Sequence, residues 1–214
     1  MLKDKYINLR PQEISYNESG LLIRGELTPS ENPRLDFVKA LMEFYNEETN
    51  TFETMNNGTR IQVDTMIGES VKYGNNCSIG GAGFGYEYDK ESDSLVRMPH
   101  LSFVVIHNNV TIHNLVNIDR GVLKPTEIGE GTVIDSLVHV AHSAKIGRNC
   151  AIVSGAVIGG SAEIGDSTFI GMNASIKQKV KIGKGCTIGS GAVVLKDVPD
   201  GWTVIGNPAK RLEK

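Results

Sequence analysis

Five histidines are the side chains of this sequence best suited to moving a proton near neutral pH. Such a base removes the proton of an amine or hydroxyl group as that group attacks a carbonyl carbon. His139 and His142 share one short segment, and Gly160 follows His142 after eighteen residues. A glycine leaves its backbone N–H unobstructed, as a hydrogen-bond donor to an oxyanion must be. His142 and Gly160 can cooperate only if the fold repeats every eighteen residues; the five histidines are His100, His107, His113, His139 and His142.

A six-residue repeat fills the region from Glu127 to Val194. The second residue of each block is isoleucine or valine twelve times in succession, and a small or slim residue follows four positions later. A period of six suits neither a helix nor a simple alternating strand, but it suits short strands separated by turns. Three such strands close a triangular coil of eighteen residues. Earlier blocks around Ile61–Ile79 and Ile106–Ile118 keep the same period, which predicts about six coils of parallel strands.

The coil places residues eighteen apart next to each other, about 4.8 Å along the axis. His142 and Gly160 are therefore expected to be neighbours, although Gly159 and Gly160 also suit a plain turn. Cys150 and Cys186 are two coils apart, which is roughly 9.6 Å and beyond the ~7 Å limit of a disulfide. We expect the cysteines to fill the core.

The chain divides by sequence character into three parts. Residues 1–60 are predicted to form a small α/β cap with one amphipathic helix over 35–48, after the helix breaker Asn32-Pro33. Residues 61–198 form the coils, interrupted by a charged and aromatic excursion at 84–104. Residues 199–214 form a basic tail. An excursion of this length is more often functional than decorative, which favours a substrate-binding role.

Composition excludes several function classes. The 22 basic and 25 acidic residues give a net charge of -3, which argues against nucleic-acid binding. No apolar run reaches the ~18 residues of a membrane span, and the N-terminus lacks a signal-peptide core, so a cytoplasmic location is expected. His107 and His113 point outward from successive faces and cannot converge on a metal ion, so no metal site is predicted.

Several segments resemble one family in the same order along the chain. NPRLDFVKAL at 32–41, GGAGFGYE at 80–87, MPHL at 98–101, NIDRGVL at 117–123 and IDSLVHVAHSAKIG at 134–147 are similar to UDP-3-O-acylglucosamine N-acyltransferases of the lipid A pathway. These belong to the hexapeptide-repeat acyltransferases, which implies a left-handed parallel β-helix. That family has a fuller uridine-binding domain, more coils and a helical extension used with acyl carrier protein. The C-terminal segment 189–214 instead resembles acetyl-CoA-dependent nucleotide-sugar acetyltransferases.

The resemblance implies a set of site residues. His142 corresponds to the general base, and Asp135 in the same segment would orient it and stabilise its protonated form. Gly160 would donate to the oxyanion. His139 could contact substrate or be a solvated neighbour. Further candidate substrate contacts, each with a plain structural alternative, are Asp119, Arg120, Tyr86 and His100.

The donor is predicted to be acetyl-CoA or another short acyl-CoA as co-substrate, with no permanently bound cofactor. Lys210 and Arg211 suit its phosphates, although a solvated basic tail is an equal alternative. The column Ser154, Met172 and Ser190, spaced by eighteen, could form the wall of a groove for the pantetheine arm.

The sequence thus predicts an acyltransferase that moves a short acyl group from acyl-CoA to a nucleotide-linked amino sugar. A single prism offers a flat face, so a homotrimer with active sites between subunits is expected. One alternative is an acyl-carrier-protein-dependent enzyme like the UDP-3-O-acylglucosamine N-acyltransferases. Another is a non-catalytic trimeric scaffold. A zinc-dependent β-helix enzyme is disfavoured because no three histidines converge.

Overall fold

The computed structural model describes residues 14–17, 20–23, 26–42 and 51–212. They form one helix, α1 (Pro33–Met42), and short strands throughout. In chain order the strands are β1 Ile14–Asn17, β2 Gly20–Ile23, β3 Glu26–Pro29, β4 Phe52–Thr54, β5 Arg60–Gln62, β6 Met66–Ile67, β7 Lys72–Tyr73, β8 Ser78–Gly81, β9 Tyr86–Asp89, β10 Ser94–Arg97, β11 Val104–Ile106, β12 Thr111–Ile112, β13 Asn117–Asp119, β14 Thr126–Ile128, β15 Val133–Ile134, β16 His139–Val140, β17 Lys145–Ile146, β18 Ala151–Ile152, β19 Val157–Ile158, β20 Glu163–Ile164, β21 Phe169–Ile170, β22 Ser175–Ile176, β23 Lys181–Ile182, β24 Thr187–Ile188, β25 Val193–Val194, β26 Thr203–Ile205 and β27 Lys210–Arg211.

The described residues fall into two compact units. The first takes its residues from Met1–Thr49 and Phe84–Leu101, and the second from Asn50–Gly83 and Ser102–Lys214. The excursion therefore groups with the N-terminal segment, whereas the sequence placed it with the coils. No helix in the described part of the chain is long and apolar enough to cross a membrane.

The first unit combines α1 with two small antiparallel sheets, β1-β2-β3 and β9-β10. The side chain of Asn32 caps the helix by accepting the Leu35 N–H at 3.2 Å, and Pro33 occupies the first helical position, where its missing N–H costs nothing. Lys39 pairs with Asp89 of β9 at 2.9 Å, which ties the helix to the excursion. The helix prediction is confirmed over Pro33–Met42, and its remainder at 43–48 lies outside the described residues.

The second unit is a left-handed parallel β-helix with three flat sheets. We call them face 1 (β6, β11, β14, β17, β20 and β23), face 2 (β7, β12, β15, β18, β21, β24, β26 and β27) and face 3 (β4, β5, β8, β13, β16, β19, β22 and β25). The register follows the eighteen-residue period, since Ile128 pairs with Ile146 and Ile146 pairs with Ile164. The prediction of a parallel coil is confirmed. Faces 2 and 3 reach eight strands each where about six coils were expected, because β4, β26 and β27 add to the strands that the repeat predicts.

The core is a ladder of aliphatic side chains inside the prism. Ile128, Ile134 and Ile158 have no exposed surface, and each buried isoleucine contributes about 1.5 to 3 kcal/mol. The three cysteines are free and buried. At one corner the Thr132 hydroxyl donates to the Gly147 carbonyl at 2.8 Å and accepts the Cys150 N–H at 3.1 Å. The corner is thus filled and its polar backbone groups are satisfied.

Candidate active site

His142 and Gly160 lie side by side on adjacent coils. A Cβ atom added to Gly160 would stand 2.6 Å from both Cε1 and Nε2 of the His142 ring. Both residues occupy the turn that leads from face 3 to face 1, and the Ser161 N–H donates to the His142 carbonyl at 2.9 Å. Ser143 and Ser161 follow them with positive φ values of 56° and 57°, as in a type II turn. The half-buried imidazole therefore presents its Nε2 edge to Gly160.

Gly160 is not a glycine that the turn requires. Its φ is not in the left-handed region. Each of the remaining coils between residues 130 and 190 has a residue with a side chain at this turn position. Among the described residues, no acceptor takes a hydrogen bond from the Gly160 N–H. The missing side chain makes room for His142, and the amide remains available to a ligand.

A hydrogen-bonded cluster surrounds His142 on the outer side of face 3. Asn117 Nδ2 donates to Asp119 Oδ1 at 2.7 Å and lies 3.0 Å from His139 Nδ1. Asp119 Oδ2 lies 3.6 Å from His139 Nε2. The sequence analysis named Asp119 and His139 as substrate contacts and missed Asn117. The signal was present: a four-residue insertion before Thr126 lengthens this coil, so Asn117 pairs with His139 at a spacing of 22 residues rather than 18.

The electrostatics of the cluster favour a neutral His142 that can accept a proton. Burial lowers the pKa of His142, the Asp119 carboxylate opposes that shift, and His139 adds to it. Burial raises the pKa of Asp119, while the hydrogen bond from Asn117 and the two nearby imidazoles hold it down. The carboxylate is 8% exposed and is the negative group that acts on His142.

Within one chain Asp135 lies apart from His142, and its pairing with the base stays a prediction. It lies in the turn from face 2 to face 3, at another corner of the prism. Its two carboxylate oxygens accept the backbone N–H groups of Ser136 at 2.7 Å and Ser154 at 3.2 Å. Asp135 therefore stabilises the turn in which it lies and links it to the corresponding turn of the next coil.

Arg120 makes contacts within the coil, and its contact with substrate stays a prediction. Its side chain is 4% exposed, and Nε donates to the Ser102 carbonyl at 2.6 Å. Nη2 donates to Asp64 Oδ2 at 3.1 Å. The guanidinium thus fixes the chain where it re-enters the coil after the excursion.

The excursion residues differ in their exposure. His100 is 2% exposed, and its Nδ1 lies 3.0 Å from the Met98 carbonyl. A substrate contact for His100 stays a prediction. Tyr86 is exposed, and its ring stands 5.0 Å from that of Phe84. A substrate contact for Tyr86 stays a prediction.

The predicted donor residues lie along the second unit. The expected column is formed by Ser154, Met172 and Ser190 on successive coils. The Asn173 N–H donates to the Ser154 carbonyl at 3.0 Å, and the Gly191 N–H donates to the Met172 carbonyl at 2.8 Å. This column occupies the turn from face 2 to face 3, whereas His142 occupies the turn from face 3 to face 1. Its role as a groove wall stays a prediction.

The C-terminal end of the coil carries the predicted phosphate-binding cations. Arg211 lies 4.4 Å above the Trp202 ring, and Lys210 is exposed beside it. Together with Val204 and Pro208 they border a cavity of about 400 Å³. A planar aromatic ring and two cations suit a phosphorylated ligand, but the assignment to the donor is untested by these contacts.

A second groove runs past the His142 turn. It has a volume of about 580 Å³ and is bordered by Ser143 and Ser161, the residues next to His142 and Gly160. Val122, Leu123 and Pro125 supply its apolar wall. Lys124, Glu127, Lys145 and Glu163 also line this groove, so its wall is of mixed polarity.

Comparison with known proteins connects these coils to a family. Residues 125–160 and 161–196 each match the family described as bacterial transferase hexapeptide (six repeats). This part of the chain belongs to the bacterial transferase hexapeptide family. In the hexapeptide region the match begins at the coil that carries His142 and ends near β25.

Two curated relatives of this chain carry the same name. A UDP-3-O-acylglucosamine N-acyltransferase of Caulobacter vibrioides (strain NA1000 / CB15N) is 54% identical over 149 residues, which are 70% of this chain and 43% of the relative. One of Methylorubrum extorquens (strain PA1) is 33% identical over 145 residues, covering 68% and 41%. The chain therefore matches less than half the length of these relatives.

Solved hexapeptide structures share the coil. A UDP-N-acetylglucosamine acyltransferase is 30% identical with a TM-score of 0.65, covering 72% of this chain and 57% of the other. A UDP-N-acetylglucosamine acyltransferase of Bacteroides fragilis 9343 is 25% identical with a TM-score of 0.65, covering 74% and 59%. These comparisons match the resemblance noted in the sequence.

Proposed function

We propose that this protein is an N-acyltransferase that moves an acyl group from a thioester to the amino group of a nucleotide-linked amino sugar of the UDP-3-O-acylglucosamine type. The observation that carries the proposal is the His142 ring standing against the Gly160 backbone on adjacent coils. The names of the relatives support the sugar.

The chemistry follows from this pair. The sugar amine attacks the thioester carbonyl, and Nε2 of His142 takes the proton that the nitrogen loses. The Gly160 N–H donates to the oxyanion of the tetrahedral adduct. When the adduct collapses, the new C–N bond remains, the C–S bond breaks, and the protonated imidazole returns its proton to the leaving sulfur.

The donor is the point on which the sequence and the relatives differ. The sequence favoured acetyl-CoA as the main interpretation and kept a carrier-protein donor as an alternative. The relatives' name favours that alternative, because it describes an acceptor sugar that already carries an acyl chain. We therefore place a longer acyl group, carried as a thioester of acyl carrier protein, ahead of acetyl-CoA.

A donor comparison tests this choice. The purified chain is incubated with UDP-3-O-acylglucosamine and either acetyl-CoA or an acyl carrier protein loaded with a long acyl chain, and the N-acylated product is quantified by mass spectrometry. We expect the carrier-loaded chain to react at least about tenfold faster, since additional buried methylenes strengthen transition-state binding. Faster reaction with acetyl-CoA would support the short-chain interpretation. No product from either donor, or from a panel of other nucleotide amino sugars, would refute the proposed activity.

We further propose a homotrimer whose subunits meet along faces 2 and 3. The outward positions of face 1 carry Glu127, Lys145, Glu163 and Lys181, which form ion pairs along the face. On faces 2 and 3, the outward positions of the strands from β15 to β25 carry no Asp, Glu, Lys or Arg, and Val133, Val157 and Phe169 are each more than 40% exposed there. Uncharged, exposed apolar faces favour burial against other subunits. Two subunits could then bring the Ser154 column and the His142 turn to one site.

A charge on face 2 tests the trimer. Phe169→Glu is expected to shift the particle from three chains to one, near 23.2 kDa, because a buried unpaired carboxylate costs several kcal/mol. Light scattering after size exclusion measures the mass. The matched control is Met66→Glu, at an exposed outward position of face 1, which should remain trimeric. A Phe169→Glu variant with unchanged mass would contradict an interface on this face.

A further inference from the structure

Asn117 connects two titratable groups beside the candidate base. Its amide nitrogen is 2.7 Å from Asp119 Oδ1 and 3.0 Å from His139 Nδ1. Asn117 and His139 are register partners on β13 and β16, and both point outward from face 3. The sequence analysis assigned no role to Asn117, and the proposed reaction does not use it.

The contacts fix the hydrogen-bonding roles in this cluster. The amide group of Asn117 must turn its NH₂ toward Asp119, because its oxygen would otherwise face a carboxylate oxygen at 2.7 Å. The nitrogen Nδ2 has two hydrogens and no acceptor capacity, so its second hydrogen points at His139 Nδ1, which must accept. His139 is therefore held as the neutral tautomer with its proton on Nε2, the atom 3.6 Å from Asp119 Oδ2.

We propose that Asn117 is a positioning residue for His142: it keeps His139 neutral and Asp119 in place, so that the Asp119 carboxylate is left to stabilise the imidazolium that His142 forms during transfer. This inference rests on the proposed function in its last step only. A second proton on His139 would place an N–H against the Asn117 NH₂. The positive charge of His139 would then pair with the negative charge of Asp119. Asn117 thus determines which of the two protonated histidines the Asp119 carboxylate stabilises.

The charged groups around His142 agree with this assignment. The Asp119 carboxylate raises the pKa of His142, whereas a positive charge on His139 would lower it, so a neutral His139 leaves the effect of Asp119 unopposed. Arg120 follows Asp119 in the chain, but its guanidinium contacts the Ser102 carbonyl and Asp64. On the next coil, Lys179 donates its backbone N–H to the Gly160 carbonyl, and its side chain is exposed. In the described part of the chain, Asp119 is the carboxylate that favours the charged form of His142.

Imidazole ¹⁵N spectra test the array without any catalytic turnover. In the wild-type chain at pH 7 we expect His139 to show the neutral Nε2–H tautomer. In Asn117→Ala we expect a mixture of tautomers or a protonated ring, and a lower pKa of His142. His139→Gln and His142→Gln variants assign the signals. A wild-type His139 protonated on Nδ1, or Asn117→Ala spectra identical to wild type for both rings, would overturn the proposal even if the protein proves inactive.

Kinetics add a suppressor test. Asn117→Ala should lower kcat/KM about tenfold and move the acidic limb of its pH profile to lower pH, because His142 becomes a weaker base. His139→Gln keeps an acceptor for Asn117 without a charge, and it is measured alone as the reference for the double variant. The double variant Asn117→Ala/His139→Gln should recover the wild-type limb. If Asn117 has a purely structural role, Asn117→Ala should lower the melting temperature without moving the acidic limb of the kcat/KM pH profile, and adding His139→Gln should not restore kcat/KM. That result would refute the proposal.

Discussion

Replacing His142 with alanine is expected to lower kcat by about 10² to 10⁴ while the coil stays folded. The imidazole is half-buried at a turn outside the aliphatic ladder, so its removal leaves the core intact. The amine must then lose its proton to water, and the tetrahedral adduct forms without a base. Steady-state rates with the preferred donor, together with circular dichroism and light scattering, measure both parts of the expectation.

His113→Ala is the matched control for this variant. His113 is an exposed histidine on another turn of the same kind of coil, and we expect wild-type kcat from its alanine variant.

Because burial lowers the pKa of His142, wild-type activity should persist below the pH at which an exposed histidine would become protonated. Near-normal turnover in His142→Ala would remove this residue from the mechanism and leave the fold assignment untouched.

The coil could be predicted from the sequence because each block of six encodes its own strand and turn. Isoleucine at the second position points inward, a small residue fills the corner, and the strand pairs follow at a spacing of eighteen, as Ile146 and Ile164 show. The same spacing predicted the contact between His142 and Gly160. Both results depend only on a regular period, which local sequence specifies completely.

The positions within one chain differ from the sequence-based expectations where the period was not applied or where it breaks. Asp135 precedes His142 by seven residues, which is one strand and one turn, so the two side chains emerge at different corners of the prism. The insertion before Thr126 shifts the spacing from 18 to 22, which concealed Asn117 as the partner of His139. A constant period applied across an insertion misplaces every partner by the length inserted.

The buried polar residues lay outside what the pattern could predict. Arg120 resembles a substrate contact by its motif, but its burial depends on where the excursion rejoins the coil at Ser102. That return is a long-range property of the fold, and no local signal in the segment around Arg120 reports it. His100 is hidden for a similar reason, since its burial within the first unit follows from the packing of the excursion itself.

Gly160→Ala is expected to reduce kcat by about 10² to 10³, the scale of a lost oxyanion donor, in a folded protein. The added Cβ would approach Nε2 and Cε1 of His142 to 2.6 Å, so the ring must rotate away from the amide with which it acts. The substitution introduces no backbone strain, because the φ of Gly160 lies outside the left-handed region. Each of the remaining coils between residues 130 and 190 has a side chain at this turn position. The measurement is kcat alongside the melting temperature.

Two comparisons separate a shared site from a local distortion. Gln178→Ala, at the same turn position one coil onward, alters an exposed side chain and should leave kcat unchanged. In a His142→Ala background the ring is absent, so Gly160→Ala should cost much less than it does in the wild-type chain, since residues that act as a unit are strongly non-additive. Full additivity of the two losses would mean that the base and the amide act independently, and it would remove the basis for placing one thioester carbonyl between them.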